Sequence, residues 1–310
     1  MEMVWVGIDV SKDRLDVHVL PEGTAFALAR DGEGLAALVQ RLQPLGAELV
    51  AVEATGGFET VVAAALAGAG LPLVVVNPAQ VRHYAQAVGQ RAKTDPIDAA
   101  MIARFAEATR PALRAMPNQA TRLLADLVAR RRQIVVMIVA EKNRERRASV
   151  KRIAKSIARL IKALEKELAE IDAEIDTGVR GSPAWRANED LLTSVPGVGS
   201  ITARTLMAEL PELGRLDAKQ IASLAGLAPY TRQSGRWKGR SMIAGGRKTV
   251  RTALFLAALV ACRHNPIFKA FRQRLLDAGK PKMVAIIAAA RKLLTILNAI
   301  IRHQKPWQPA

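Results

Sequence analysis

Apolar and polar positions alternate in short runs at the start of the chain: Val4-Trp5-Val6-Gly7-Ile8-Asp9, Leu15-Asp16-Val17-His18-Val19-Leu20 and Ala25-Phe26-Ala27-Leu28. That period predicts three short strands in a meander. A helical spacing follows at Leu35, Leu38, Val39 and Leu42 and stops near Pro44 and Gly46. Next, Glu48-Leu49-Val50-Ala51-Val52-Glu53 has the β-branched and apolar content of a strand. Ala54-Thr55-Gly56-Gly57 turns into an Ala-rich helix, and Leu73-Val74-Val75-Val76 reads as a strand covered on both faces. Three meandering strands, then helix, strand, helix and strand, is the order of a ribonuclease H-like mixed sheet with helices on its faces.

The pattern then changes. Residues 118–177 contain neither Pro nor Gly, and their apolar positions recur at helical spacing, which predicts long helices paired as a hairpin or coiled coil. Residues 182–229 read as a compact helical unit. Within it, Ser194-Val195-Pro196-Gly197-Val198-Gly199 resembles the hairpin of a helix-hairpin-helix motif, although a plain turn between helices explains the same glycines. Residues 230–310 begin as a Gly-, Ser- and Arg-rich loop and end in about three helices. The expected fold class is therefore α/β plus all-α, in three parts: a RuvC or ribonuclease H-like domain over 1–117, a helical coiled coil over 118–180 and a helical domain over 181–310.

Charge sharpens this division. The net charge is +18, but residues 1–120 carry 10 Lys or Arg against 13 acids, residues 121–229 carry 19 against 14, and residues 230–310 carry 17 against 1. An acidic module joined to a strongly basic one suits a chain that grips a polyanion through phosphate contacts. Residues 121–166 alone hold 14 basic against 4 acidic side chains, and nucleic acid along that arm is the expected counterpart. The single cysteine, Cys262, lies in an apolar run, so a disulfide framework is excluded. The start of the chain lacks the signal-peptide pattern, and the longest apolar runs, 253–262 and 283–290, fall short of the roughly 20 residues of a spanning helix. A reducing cytoplasm is the expected location.

Four carboxylates stand at places where that fold would bring them together. Asp9 ends the first strand, Glu53 ends a later one, and Asp95 and Asp98 flank Pro96-Ile97 at a helix start, with Asp95 as the cap and Pro96 at the first helical position. Their spacing of three puts both on one side of the helix. Four such groups repel unless divalent cations neutralise them, and hard oxygen ligands suit Mg²⁺, with two ions a possibility. Lys93 and Thr94, just before the pair, are candidates for holding a phosphate. A second constellation is Gln233-Ser234-Gly235-Arg236-Trp237-Lys238-Gly239-Arg240, in which Ser234 is a candidate nucleophile among guanidinium groups; Ser241 is an alternative that spacing does not exclude. The histidines, His18, His83, His264 and His303, are scattered and form no evident ligand set.

These segments together resemble the DEDD transposases of bacterial insertion sequences that use a bridge RNA, a family related to the pilin-gene inverting recombinase. In the first half the resemblance runs through Gly7-Ile8-Asp9-Val10-Ser11-Lys12, Val52-Glu53-Ala54-Thr55-Gly56-Gly57, Asn77-Pro78-Ala79 and Lys93-Thr94-Asp95-Pro96-Ile97-Asp98-Ala99. In the second it runs through Val195-Pro196-Gly197-Val198-Gly199, Leu224-Ala225-Gly226-Leu227-Ala228-Pro229, Ser234-Gly235 and Val250-Arg251-Thr252-Ala253-Leu254. The resemblance implies that Asp9, Glu53, Asp95 and Asp98 are a metal-binding acidic tetrad and that Ser234 forms a covalent phosphoserine link to DNA. It also implies donor and target DNA as substrates, a noncoding guide RNA as partner, and a homo-oligomer, dimer or tetramer, in which the acidic domain of one subunit meets the serine domain of another.

Three other readings of the residues remain open at this stage. The first is a RuvC-like nuclease that hydrolyses DNA with two metals and no serine, and the second is a noncatalytic nucleic-acid-binding protein. The third is an actin-like kinase, because Gly7-Ile8-Asp9 also resembles a phosphate loop; no convincing second phosphate motif accompanies it.

Overall fold

The computed structural model describes residues 3–92, 94–113, 119–231, 233–239 and 241–308, with the backbone alone at 237 and 238. It divides into two compact units, Met1–Met116 and Pro117–Ala310.

In the first unit, β1 (Trp5–Val10), β2 (Arg14–Leu20) and β3 (Thr24–Ala29) form the antiparallel meander that alternation predicts. Asp31 caps α1 (Gly32–Leu42), its side chain accepting from the Gly34 N–H at 2.8 Å. β4 (Leu49–Glu53), α2 (Glu59–Gly68) and β5 (Leu73–Val76) then add parallel strands on the other side of β1, giving the sheet order β3-β2-β1-β4-β5. α3 (Pro78–Ala87), capped by Asn77, and α4 (Asp95–Thr109) complete the unit. One face of the sheet buries Val6, Ile8, Val17, Val50 and Val52 against α1 and α2, and the other buries Trp5, Leu49 and Ala51 against α3 and α4.

The second unit is helical. α5 (Gln119–Glu145) and α6 (Lys151–Gly181) lie antiparallel, joined by a seam of Leu124, Val128, Ile134 and Ile138 with Ile171, Ile175 and Val179. Arg131 pairs with Asp172 at 2.6 Å and Lys142 with Glu165 at 2.7 Å, so some of this arm's basic side chains are neutralised within the arm while the excess itself remains. The unit continues through α7 (Pro183–Thr193), α8 (Ser200–Glu209), α9 (Ala218–Leu224), α10 (Lys248–His264), α11 (Pro266–Asp277) and α12 (Lys282–His303). α12 is 22 residues long and apolar enough by length and composition to cross a membrane, where the sequence reading saw only the short run 283–290. Its Leu293, Leu294 and Leu297 are fully buried in the unit's main core, with Leu206 and Leu254 in the same cluster, which makes it a core helix here.

The segment read as a loop after residue 229 is instead two nested strand pairs. β6 (Pro229–Tyr230) pairs with β9 (Met242–Ile243), and between them β7 (Gln233–Ser234) pairs with β8 (Trp237–Lys238). Such short strands leave no period to read, which is why the sequence concealed them.

Candidate active site

The alternation of β1 and β4 decides where their carboxylates point. Val6, Ile8, Val50 and Val52 face α1 and α2, so Asp9 and Glu53, offset by one from Ile8 and Val52, face the α4 side. β1 and β4 run parallel with Ile8 opposite Val52, and the next step in that register sets Asp9 beside Glu53. Gly7 lies on this same face. A Cβ there would stand 2.2 Å from the Ala99 carbonyl oxygen and 2.3 Å from the Ala103 nitrogen, so the α4 backbone rests directly on β1. The turn of α4 just before Ala99 carries Asp95 and Asp98.

The electrostatics register the approach of α4 to β1. The Asp9 carboxyl is pushed up from 3.8 to about 6, first by burial and then by the charges of Asp98 and Asp95, with a smaller push from Asp16. Glu53 and Asp98 also line one cavity of about 420 Å³ together with Arg82, Gln90, Val81 and Met101. Asp95 is exposed, whereas Asp9, Glu53 and Asp98 are half-buried. Among the described residues no three Asp, Glu, His or Cys side chains stand as a ready-made metal cage. The donor set nonetheless fits a hard divalent cation: the oxygens are carboxylates, and their mutual repulsion is the kind that a cation relieves.

Thr94, rather than Asp95, is the N-cap of α4; its carbonyl accepts the first helical bond, from the Asp98 N–H at 2.8 Å, and Asp95 lies inside the first turn. Pro96 tolerates the second position because that N–H also lacks a helical partner. Lys93 lies outside the described residues.

Sequence reasoning also passed over three residues that shape the site. Asp16 is opposite Asp9 in the β1–β2 register and is only 4 % exposed. Arg14 forks onto it, Nε to Oδ2 at 2.9 Å and Nη2 to Oδ1 at 2.7 Å, and feels the charge of Asp95 as well. The signal was available, since Arg14 and Asp16 share the Asp9 face by the same alternation. Glu59 is the third: its Oε2 accepts from the Thr55 and Gly57 N–H groups at 2.9 and 2.8 Å, fixing the turn that follows Glu53.

In the second unit, Ser234 is exposed on β7, next to a two-residue turn of Gly235 and Arg236 in which Gly235 has φ of +55°. A positive φ at that position suits a tight hairpin and leaves little bulk beside the hydroxyl. Ser241 is also exposed, but its Oγ lies 3.0 Å from Thr231 Oγ1, a hydroxyl pair across the hairpin. Arg232, Arg240 and the side chains of Trp237 and Lys238 fall outside the described residues. The hairpin's foot is closely packed: the Arg247 N–H donates to the Leu224 carbonyl at 2.8 Å, and a Cβ on Gly246 would stand 2.2 Å from the Gly226 nitrogen. Some of the basic residues here are structural. Arg247 forks onto Glu212, and Arg302 donates to the Gly214 carbonyl at 3.1 Å.

Gly197, in the turn between α7 and α8, has φ of 106°, and a Cβ there would stand 2.7 Å from Ala261 Cα, so packing against α10 accounts for it. Gly199 caps α8 with open space around it. Cys262 is buried in α10 and His83, His264 and His303 are exposed on helices; His18, half-buried on β2, has its pKa lowered by burial and by Arg104.

A carboxylate corner at the ends of parallel strands, accompanied by a basic helical unit, is the equipment of a DNA-processing enzyme, and comparison with known proteins gives its class as a DNA transposase or recombinase. Residues 6–153 match the IS110 DEDD model described as a transposase, and residues 189–273 match the model described as the transposase IS116/IS110/IS902 family. The chain belongs to this IS110/IS116/IS902 transposase family. It is similar to the pilin gene-inverting protein of Moraxella lacunata, 28% identical over 317 residues that cover 99% of this chain and 98% of that protein. The pilin gene-inverting protein of Moraxella bovis is equally similar. An uncharacterized 43.6 kDa protein of the insertion element IS110 from Streptomyces coelicolor is 33% identical over 114 residues, 36% of this chain and 28% of that protein. Membership of this family removes the noncatalytic and kinase readings.

Proposed function

We propose that the chain cuts and rejoins DNA through two separate centres: a RuvC-like corner of Asp9, Glu53, Asp95 and Asp98 that holds Mg²⁺, and a nucleophilic serine, Ser234. The observation that carries this reading is the convergence of carboxylates from β1, β4 and α4 onto one face, with Asp9 raised by two of the others. A bound divalent cation would polarise the phosphate and lower the cost of ionising an attacking hydroxyl. Ser234 supplies that hydroxyl: its oxygen bonds to phosphorus, the bond to one deoxyribose oxygen breaks, and the serine proton leaves to the departing oxygen or to water. The phosphoserine link keeps the energy of the broken ester, so a strand hydroxyl can later displace the serine without ATP. Arg236, exposed one residue beyond Gly235, is placed to neutralise charge on such a phosphate. The Ser241 hydroxyl, paired with Thr231, is less free for attack, which favours Ser234. By this reading the working form is a homo-oligomer acting on donor and target DNA, and family membership supports a noncoding RNA as guide.

The test is a denaturing gel. DNA carrying the element's ends, incubated with the full chain and Mg²⁺, should yield a covalent protein–DNA adduct that Ser234→Ala abolishes. Adducts that persist in Ser234→Ala and vanish in Ser241→Ala would move the nucleophile, and protein-free ends alone would favour metal-dependent hydrolysis. Sequencing RNA that co-purifies with the chain tests the guide.

A further inference from the structure

The hairpin that carries Ser234 has a second surface that neither the carboxylate corner nor the serine uses. In its base sheet, Tyr230 is opposite Met242 and Pro229 is opposite Ile243. Directly opposed side chains of an antiparallel pair share a face, and successive ones alternate. Ile243 turns inward and packs on the core of the second unit. Tyr230 and Met242 turn the other way and stand 49% and 70% exposed. The chain has only 2 tyrosines, and the other, Tyr84, packs edge-on against Phe105, so an open tyrosine is not a habit of this sequence. The Tyr230 hydroxyl lies 3.5 Å from Ser223 Oγ, which tethers one end of a ring that is otherwise half open to solvent.

The surroundings specify what such a face meets. Residues 230–310 hold 17 basic side chains against 1 acid, so the complementary surface is anionic. A ligand that combines negative charge with flat apolar faces is nucleic acid, in which phosphates suit the arginines and unstacked bases suit an aromatic ring and a polarisable thioether. Ser234 lies four residues beyond Tyr230, a reach of at most about 14 Å, or about four base steps along a strand.

We propose that Tyr230 and Met242 form a stacking platform for an unpaired DNA base close to the phosphate that Ser234 addresses, holding the strand open beside the hairpin. The proposal rests on the serine hairpin facing DNA, as in the function proposed above. Its test uses the full chain and a fluorescein-labelled oligodeoxythymidylate of about 30 nucleotides, read by fluorescence anisotropy. Tyr230→Ala should weaken binding about tenfold, while Tyr230→Phe, which keeps the ring, stays within about twofold. Met242→Ala should weaken it and Met242→Leu should restore it. The salt dependence of binding should keep its slope in Tyr230→Ala, because no phosphate contact is removed; losing one would lower the slope by about one. Unchanged binding in Tyr230→Ala, equal losses with Phe and Ala, a reduced slope, or tighter binding of oligouridylate than of the DNA strand would each overturn the platform. Anisotropy reads binding by the unaltered chain whether or not it forms a covalent adduct, so a failure of the covalent chemistry is distinguishable from a failure of the platform.

Discussion

Gly7 of β1 and Ala99 of α4 meet backbone to backbone, with 2.2 Å between the place of a Gly7 Cβ and the Ala99 carbonyl oxygen. Because Asp95 and Asp98 lie in the turn just before Ala99, this contact sets how near they come to Asp9. Gly7→Ala should therefore push α4 off the sheet, costing about 2 kcal/mol by overpacking, and should weaken Mg²⁺-dependent cleavage. Urea unfolding and a cleavage assay check both; a variant of unaltered stability and activity would show that α4 does not depend on the contact.

The raised carboxyl of Asp9 gives a pH dependence with a definite sign. Asp9 ionises near 3.8 in the unfolded chain and at about 6 in the fold. Between these values the unfolded chain releases a proton that the folded one keeps, so the metal-free protein loses stability as pH rises through that window and does not regain it above. In EDTA, the melting temperature should fall from about pH 4 to 6 relative to Asp9→Asn, which lacks the titration. Added Mg²⁺ should stabilise the unaltered chain more above this window than below it. Parallel pH profiles for Asp9→Asn and the unaltered chain would contradict the crowding of charge at Asp9.

Arg204 of α8 donates to Glu189 and Asp176, each at 2.7 Å, with its side chain 16% exposed. Arg204→Leu leaves the partly buried Glu189 uncompensated, while Asp176 keeps Arg180 at 2.9 Å, and should cost about 3 kcal/mol. Adding Glu189→Leu should recover part of that loss, because the penalty lies in the uncompensated charge. Chemical denaturation of the single and double variants measures the difference.

Gly246 touches Gly226 at the foot of the serine hairpin and has φ of +65°, so Gly246→Ala is strained twice over. Covalent adduct formation should fall sharply while divalent-ion binding by the carboxylate corner stays unchanged. A Mn²⁺ titration beside the adduct gel separates the two.

Most of the sheet was legible because its strands are long enough for a period of two to show, and because Asp9 and Glu53 end their runs on the same phase. The same alternation held the information on Arg14 and Asp16, which share the Asp9 face, but a charged pair inside a strand reads as solvent-facing until the register shows what covers it. The cap of α4 was misplaced by one residue since Thr94, Asp95 and Pro96 are all acceptable at a helix start, and only the Asp98–Thr94 hydrogen bond decides among them. The nested strand pairs around Ser234 were hidden because two-residue strands carry no pattern. The glycines of 195–199 could not be interpreted without α10, whose Ala261 is what Gly197 accommodates.

The paired glycines beneath the serine arm separate its anchorage from its span. Residues inserted or removed between Tyr230 and Met242 would alter how far the hydroxyl projects while the feet stay planted on α9 and α10. Loop length alone would thus retune the arm, with the helical scaffold beneath it unaltered.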